Sequence, residues 1–200
     1  MSKLTIIFAI VGSSGSGKST MADTFMEHGI PSVISYTTRS MRPGERSGVG
    51  HYFIDDLQAD ELLNDKSSVA AYTYFGGHRY FTLWNNILAY NICAYVIDED
   101  GLIKLRETKP SNVIIHTIYI RRSEEERIAS GVDRERILRD AYRKHLPMSE
   151  YNIIIDNDAP SAEVFVRFST WLADMILNTL SNLTSFPPLT FSSSLVPNHG

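Results

Sequence analysis

The sequence predicts an α/β protein built on a mainly parallel sheet with helices on both faces. Three observations predict it. Nearly unbroken apolar runs at residues 4–12 (LTIIFAIVG), 91–98 (NICAYVID) and 112–120 (NVIIHTIYI) have the composition of strands buried on both sides. Segments with helical spacing separate these runs, the alternation that gives parallel strands joined by crossover helices. The stretch 37–82 breaks this rhythm with short β-like pieces and reads as a small mixed β insertion on the rim of the sheet.

Each element has its own justification. After the first strand, Met21, Ala22, Phe25 and Met26 recur at helical spacing over residues 18–28, and Gly29 followed by Pro31 supplies the stop. A second short strand is predicted at 32–36, then a polar loop, TTRSMRPGERSGVG, turning at Pro43-Gly44. HYFID (51–55) is a short strand, and DLQADELL (56–63) a helix capped by Asp55 or Asp56. VAAYTYFGGHRYFTL (69–83) predicts a hairpin turning at Gly76-Gly77. A helix near 83–90 leads into the strand that ends at Asp98; a short helix at 101–107 follows, with Asp100 as its candidate cap. Beyond the strand 112–120, polar helices are expected at 122–130 and 134–145 with Gly131 between them. YNIIID (151–156) supplies a further strand, and 162–180 a helix with Val164, Phe168, Leu172, Met175 and Leu180 toward the core. Residues 181–200 carry prolines and serines without a period and are expected to form a disordered C-terminal tail.

Composition narrows the function. A formal charge of −4 argues against a general nucleic-acid binder, which would carry a strong positive field. No apolar stretch reaches membrane-spanning length and no signal-peptide order opens the chain. A single cysteine, Cys93, rules out an internal disulfide or a cysteine-based metal site. The expectation is a cytoplasmic monomer or small homo-oligomer acting on small molecules, with neither nucleic acid nor membrane as partner. Positive charge is nevertheless gathered in two groups, Arg39, Arg42 and Arg46, and then Arg121, Arg122, Arg127, Arg134, Arg136, Arg139 and Arg143. Such clusters build anion pockets, or else belong to solvated helix faces.

The strongest motif is Gly12-Ser13-Ser14-Gly15-Ser16-Gly17-Lys18-Ser19, then Thr20, with the spacing G-x-x-x-x-G-K-S between a predicted strand and a predicted helix. A chain leaving a strand here must wrap around a phosphate with its N–H groups turned inward, and glycine permits the backbone angles and the close approach. The helix then aims its unsatisfied amides and positive dipole end at the same anion. Lys18 supplies a cation at the β- and γ-phosphates of ATP, and Ser19 an oxygen for the Mg2+ ion that travels with them. A plain Gly/Ser turn is the bland alternative, but it does not explain why a helix begins at the lysine.

A kinase also needs an acceptor pocket and a cover that excludes water. Arg39 and Arg42, three apart on the loop after the second strand, suit the clasping of a phosphate by guanidinium forks. Tyr74 and Tyr80 offer hydroxyls or rings from the insertion. Arg136, Arg139 and Arg143 fall on one face of a predicted helix, where they would neutralise charge on a transferring phosphoryl group or simply lace a salt-bridged helix pair. Asp98, at a strand's carboxyl end, stands where ligands bind in such sheets.

The segments GSSGSGKST, SYTTRSMRPGERSG, HYF, YFGGHRYFT, the strand-end Asp98 and YNIIIDND together resemble the guanylate kinase family of nucleoside monophosphate kinases, over about residues 4–178. TTRxxRPGExxG is far more specific than the phosphate loop, which many unrelated nucleoside triphosphatases share. The resemblance implies a P-loop core (1–36, 92–120 and 146–180), an acceptor-binding insertion (37–91) and an arginine-bearing helical lid (121–145), together one domain over 1–180. It implies ATP-dependent phosphorylation of GMP or dGMP. It implies that Ser35 contacts the guanine, that Arg39, Arg42 and Tyr80 bind the acceptor phosphate, and that Thr82 lies beside the base. Arg127, or Arg136 and Arg139, would meet the ATP phosphates, and Asn157 the adenine end.

Four positions depart from that pattern. His51 stands where the family has a phosphate-binding tyrosine, and would donate to a phosphate only when protonated. Ala71 falls near its guanine-reading glutamate, Phe81 interrupts Y-G-T/S, and Val96 takes the first place of D-x-D, leaving Asp98. A lost carboxylate leaves two guanine donors without an acceptor, at roughly 1–3 kcal/mol each. Two alternatives therefore stay open: a kinase of the same fold with another nucleoside monophosphate or a phosphosugar as acceptor, and a guanylate-kinase-like binding module without catalysis.

Overall fold

The structure is a computed structural model that describes residues 3–158 and 162–182. Two sheets organise it. In the first, β1 (Thr5–Val11), β6 (Ile92–Val96), β7 (Val113–Arg121) and β8 (Ile153–Asp156) lie in the order β6-β1-β7-β8, with β7 and β8 parallel. All seven residues of β1 are buried, as its uninterrupted apolar run requires. In the second sheet, β2 (Ser35–Thr37), β3 (His51–Phe53), β4 (Val69–Phe75) and β5 (His78–Leu83) lie in the order β3-β2-β5-β4. There β2 and β3 are parallel while β2–β5 and the hairpin β4–β5 are antiparallel, the mixed insertion expected from the sequence.

Among the described residues seven α-helices accompany these strands: α1 (Lys18–Glu27), α2 (Asp56–Leu63), α3 (Trp84–Leu88), α4 (Glu99–Thr108), α5 (Glu124–Ala129), α6 (Arg134–Ala141) and α7 (Ala162–Asn182). Asp55 starts α2 with a full capping box, its carboxylate accepting from the Gln58 amide while Gln58 reaches back to the Asp55 N–H. By contacts the chain divides into residues 1–9 with 31–115, and 10–30 with 116–200. The first unit holds the whole second sheet with α2, α3 and α4, and α4 packs along β4. The second holds α1 and α5–α7, with α7 packed on α1.

Several expectations need correction. The second strand begins at Ser35 rather than Ser32, because the chain changes partners: Val33 N–H donates to Ala94 and Ala94 N–H to Pro31, and pairing with β3 and β5 starts only at Ser35. Met26 is 54% exposed, so the buried stripe of α1 is narrower, comprising Met21, Ala22, Thr24 and Phe25. The helix expected to reach residue 145 ends at Ala141, so Arg143 does not share a helical face with Arg136 and Arg139. Asp98, not Asp100, caps α4. On α7 the buried residues include Phe165, Ser169, Leu172, Ala173 and Ile176, while Phe168 and Met175 are only half-buried. The side chains of Val164 and Leu180 lie outside the described residues, as does the expected tail from residue 183 onward; α7 runs to Asn182.

Candidate active site

The glycine-rich loop belongs to the second unit. Gly12, Gly15 and Gly17 all have positive φ, as a chain curled around an anion demands. Gly12 is also sterically obligatory: a Cβ there would lie 2.4 Å from the Ile120 carbonyl oxygen. The loop's carbonyls are held from outside. Lys18 Nζ donates to the Gly12 and Ser13 carbonyls, both at 2.7 Å, Arg122 Nη1 to that of Gly15 at 3.2 Å, and Asn157 Nδ2 to that of Ser16 at 2.8 Å. The N-terminus of α1, where helix amides and the positive dipole end converge, adjoins this loop and suits an anion. Ser16 Oγ is buried without a hydrogen-bond partner among the described residues, an orphaned polar atom inside the loop that fits a phosphate oxygen. Ser19 and Thr20 are exposed in the first turn of α1.

The arginine segment meets the loop through Arg122, Val132 and Asp140, the last paired with Arg127. Arg136 and Arg139 form no hydrogen bond or ion pair with the loop among the described residues. Arg122 reaches Gly15 directly, and Val132 lies over the same glycine, where a Cβ would sit 2.2 Å from its Cγ2. Arg127 is buried and paired with Asp140 at 3.6 Å. Asp140 in turn accepts from Ser14, at 2.6 Å from the backbone N–H and 3.1 Å from the hydroxyl. The Nε atoms of Arg122, Arg127 and Arg139 are buried without hydrogen-bond partners among the described residues. Sequence reading placed Arg122 only within the arginine group, without a role of its own, and gave Asp140 none. Strand-end placement flags the first, one residue beyond β7; nothing in the sequence distinguishes the second from any helical aspartate.

The acceptor candidates belong to the first unit, and strand register gathers them. Ser35 pairs with His51, Thr37 with Phe53 and Tyr80, Thr73 with Tyr80, and Ala71 with Thr82. Alternation therefore puts Ser35, Thr37, His51, Phe53, Ala71, Thr73, Tyr80 and Thr82 on one face of the second sheet. The opposite face is aromatic: Tyr36 packs on Tyr52 and Phe81 with ring centroids 5.3 and 5.2 Å apart. Phe81, a departure from the family pattern, thus turns away from the polar face and is 1% exposed.

That polar face is internally bonded. Ser35 Oγ and His51 Nδ1 are 2.7 Å apart, Thr82 Oγ1 and the Tyr95 hydroxyl 2.7 Å, and Thr73 donates to Asp98 Oδ1 at 2.6 Å. Burial pushes the Tyr95 phenol above its ordinary pKa. The same Asp98 oxygen accepts the Gly101 N–H at 2.9 Å, so this carboxylate both caps α4 and anchors β4. Val96 and Ala71 leave Asp98 as the carboxylate tied to this face. On the loop after β2, Arg39 makes a bidentate pair with Glu45, at 2.8 and 2.9 Å, lies over the Phe53 ring at 5.2 Å and interacts with Tyr80. Glu45 also accepts the Arg42 N–H at 2.7 Å, while the Arg42 side chain is exposed. Chiefly the Arg39 hydrogen bonds hold the Glu45 carboxyl down to about 2. Glu45, quoted within the motif but given no role, is what shapes the arginine loop.

His51 is held neutral at pH 7 in the ligand-free protein. Burial first, and the neighbouring Arg39 second, depress its pKa to about 4. A folded-state pKa below the unfolded one means that its contribution to stability is complete above about pH 6.5 and is lost as pH falls toward 4. In an NMR titration of the folded protein the His51 ring is expected to titrate near 4; a midpoint near 6.5 contradicts its burial.

Among the described residues, no helix is long and apolar enough to cross a membrane. Comparison with known proteins agrees with the phosphate-loop motif. A family profile described as guanylate kinase matches residues 3–163. The chain is 27% identical over 184 residues to a guanylate kinase of Mannheimia succiniciproducens, covering 85% of each. It is 30% identical over 165 residues to one of Histophilus somni, covering 76% of this chain and 79% of that one. The crystal structure of guanylate kinase from Anaplasma phagocytophilum superposes with a TM-score of 0.62 at 21% identity over 91% of this chain and 89% of that one, a likeness of fold. The chain belongs to the guanylate kinase family.

Proposed function

We propose that this family member transfers the terminal phosphoryl group of ATP to the phosphate of GMP or dGMP, giving ADP and the nucleoside diphosphate. ATP-dependent phosphotransfer to a GMP-like acceptor is the activity of the family; the residue assignments and the acceptor are our reading. The observation that supports it is the glycine loop, with its three positive-φ glycines and the buried Ser16 hydroxyl, in a chain that also carries Arg39 prealigned by Glu45. Lys18, the loop amides and Arg127 would hold the ATP phosphates, with Arg136 and Arg139 within the same segment. Ser19 would ligate Mg2+, which supplies charge neutralisation on the triphosphate. Asn157 braces the loop rather than standing apart from it, through its bond to Ser16. Ser35, Thr82 and Asp98 would line the base, with Arg39, Arg42 and Tyr80 at the acceptor phosphate.

This arrangement suits phosphoryl transfer because the attacking group is already an anionic phosphate oxygen. No strong general base is needed, and positioning with charge neutralisation supplies most of the acceleration. Arg39 is prealigned by Glu45 and Phe53, whereas Arg42 is exposed. Arg42→Ala is therefore expected to raise the acceptor KM roughly ten- to a hundredfold, the loss of one charge-assisted phosphate contact of about 1.5–3 kcal/mol. The KM for ATP should stay within about twofold, since Arg42 belongs to the other loop. Steady-state kinetics with each substrate varied in turn checks this, and an equal loss for ATP contradicts the assignment.

A second reading is favoured by one observation. Ala71 is 2% exposed on the polar face, and it offers no acceptor for guanine's N1–H and amino groups. A same-fold kinase for another phosphorylated acceptor would not need that carboxylate.

A further inference from the structure

Asp140, on the last turn of α6, is 3% exposed and already seats an anion in the glycine loop. Its Oδ2 accepts the Ser14 N–H at 2.6 Å and its Oδ1 the Ser14 hydroxyl at 3.1 Å. Two guanidiniums flank the same carboxylate: Arg127 Nη1 at 3.6 Å, on a side chain 7% exposed, and Arg143 Nε at 3.7 Å. A loop amide, a hydroxyl and two guanidiniums converging on paired oxygens form the donor set expected for a phosphate group. The donors are built for an anion, and a side chain of the arginine segment fills the place.

We propose that Asp140 is a positioning residue that acts as the resident anion of the phosphate loop. It holds Arg127 and Arg143 against Ser14 in the nucleotide-free protein, and releases these donors when the terminal phosphate of ATP arrives. The inference rests on the assignment of the loop to ATP. Its physical basis is charge. Buried guanidiniums without a counter-ion are strongly disfavoured, and Asp140 compensates them while the loop is empty of nucleotide. The same negative charge, fixed beside the loop, repels a triphosphate and competes with it for Ser14 and the arginines. Asp140 thus lowers nucleotide affinity while keeping the cationic shell assembled.

The test is Asp140→Asn, which keeps the shape and an oxygen acceptor for Ser14 but removes the charge. Calorimetry would measure the binding of ATP, ADP and inorganic tripolyphosphate to wild type, to this variant and to Lys18→Ala. Asp140→Asn is expected to bind ATP and tripolyphosphate about tenfold more tightly than wild type, with a smaller gain for ADP, which lacks the terminal phosphate. A folded Asp140→Asn protein with equal or weaker affinity for ATP overturns the proposal, since a purely structural aspartate would not improve anion binding when removed. Should the variant fail to fold, amide hydrogen exchange on wild type decides. The Ser14 amide should be protected at least tenfold without nucleotide, and an unprotected Ser14 amide overturns the proposal. Lys18→Ala separates the two levels. If it binds ATP as tightly as wild type, the loop assignment itself has failed. If it weakens ATP while Asp140→Asn leaves affinity unchanged, only the role of Asp140 has.

Discussion

Lys18→Ala is expected to lower turnover roughly a thousandfold, the scale on which a preorganised donor to a transferring group acts, while leaving the fold intact. Lys18 is half-exposed at the first turn of α1, and its ammonium is held by the Gly12 and Ser13 carbonyls at 2.7 Å rather than by apolar packing. The hydrophobic anchorage of α1 lies elsewhere, in Met21, Ala22 and Phe25. Truncating the lysine removes charge at the β- and γ-phosphates without opening a cavity. A coupled assay of ADP formation, run beside a thermal melt, separates the two effects. Turnover within tenfold of wild type would mean that the loop does not deliver its lysine to the reacting phosphate.

Gly12→Ala is expected to be the most damaging single-methyl change in the loop, costing roughly 2–4 kcal/mol through combined backbone strain and overpacking. The φ of Gly12 is +151°, and the added methyl would meet the Ile120 carbonyl oxygen at 2.4 Å and Ser16 Oγ at 2.7 Å. The first of these is backbone of β7 and cannot swing aside. At two hundred residues such a loss lowers Tm by roughly 5–15 °C. Gly29→Ala is the control. Its φ is +84°, but nothing lies within 4 Å of a built Cβ. Only left-handed strain, about 1 kcal/mol, is added there. Melting curves of both variants check the contrast, and equal shifts would show that the contact with Ile120 does not matter.

Features encoded locally were legible in the sequence. β1, the loop after it and α1 follow from an apolar run, a glycine spacing and a 3.6-residue period, each contained in a few residues. The hairpin turning at Gly76-Gly77 and the Asp55 cap are equally local. Features set by distant partners were not. Ser32 and Ser35 look alike in sequence, and only the capture of residues 31–33 by Ala94 delays the start of β2. The burial of His51 follows only from the strand register, which puts it against Ser35 and beside Arg39. Asp98 and Asp100 both suit a cap; Thr73 and Gly101 choose between them by bonding Asp98. Asp140 lies 126 residues from Ser14, and no periodicity reports that pairing. For the candidate site, the phosphate loop and the arginine pair were evident as motifs, whereas Glu45, Arg122 and Asp140, which contact them, depend on the fold.

The most direct measurement is the rate of ATP-dependent phosphorylation across GMP, dGMP, AMP, CMP, UMP and ribose bisphosphates, each followed by formation of its phosphorylated product. The account predicts Mg2+-dependent turnover with the highest kcat/KM for GMP or dGMP. It also predicts a guanine preference weakened about tenfold or more by the missing acceptor at Ala71. Turnover with GMP no better than with the other acceptors would contradict the guanine assignment, and magnesium-dependent ATP binding without turnover on any acceptor would contradict phosphoryl transfer itself.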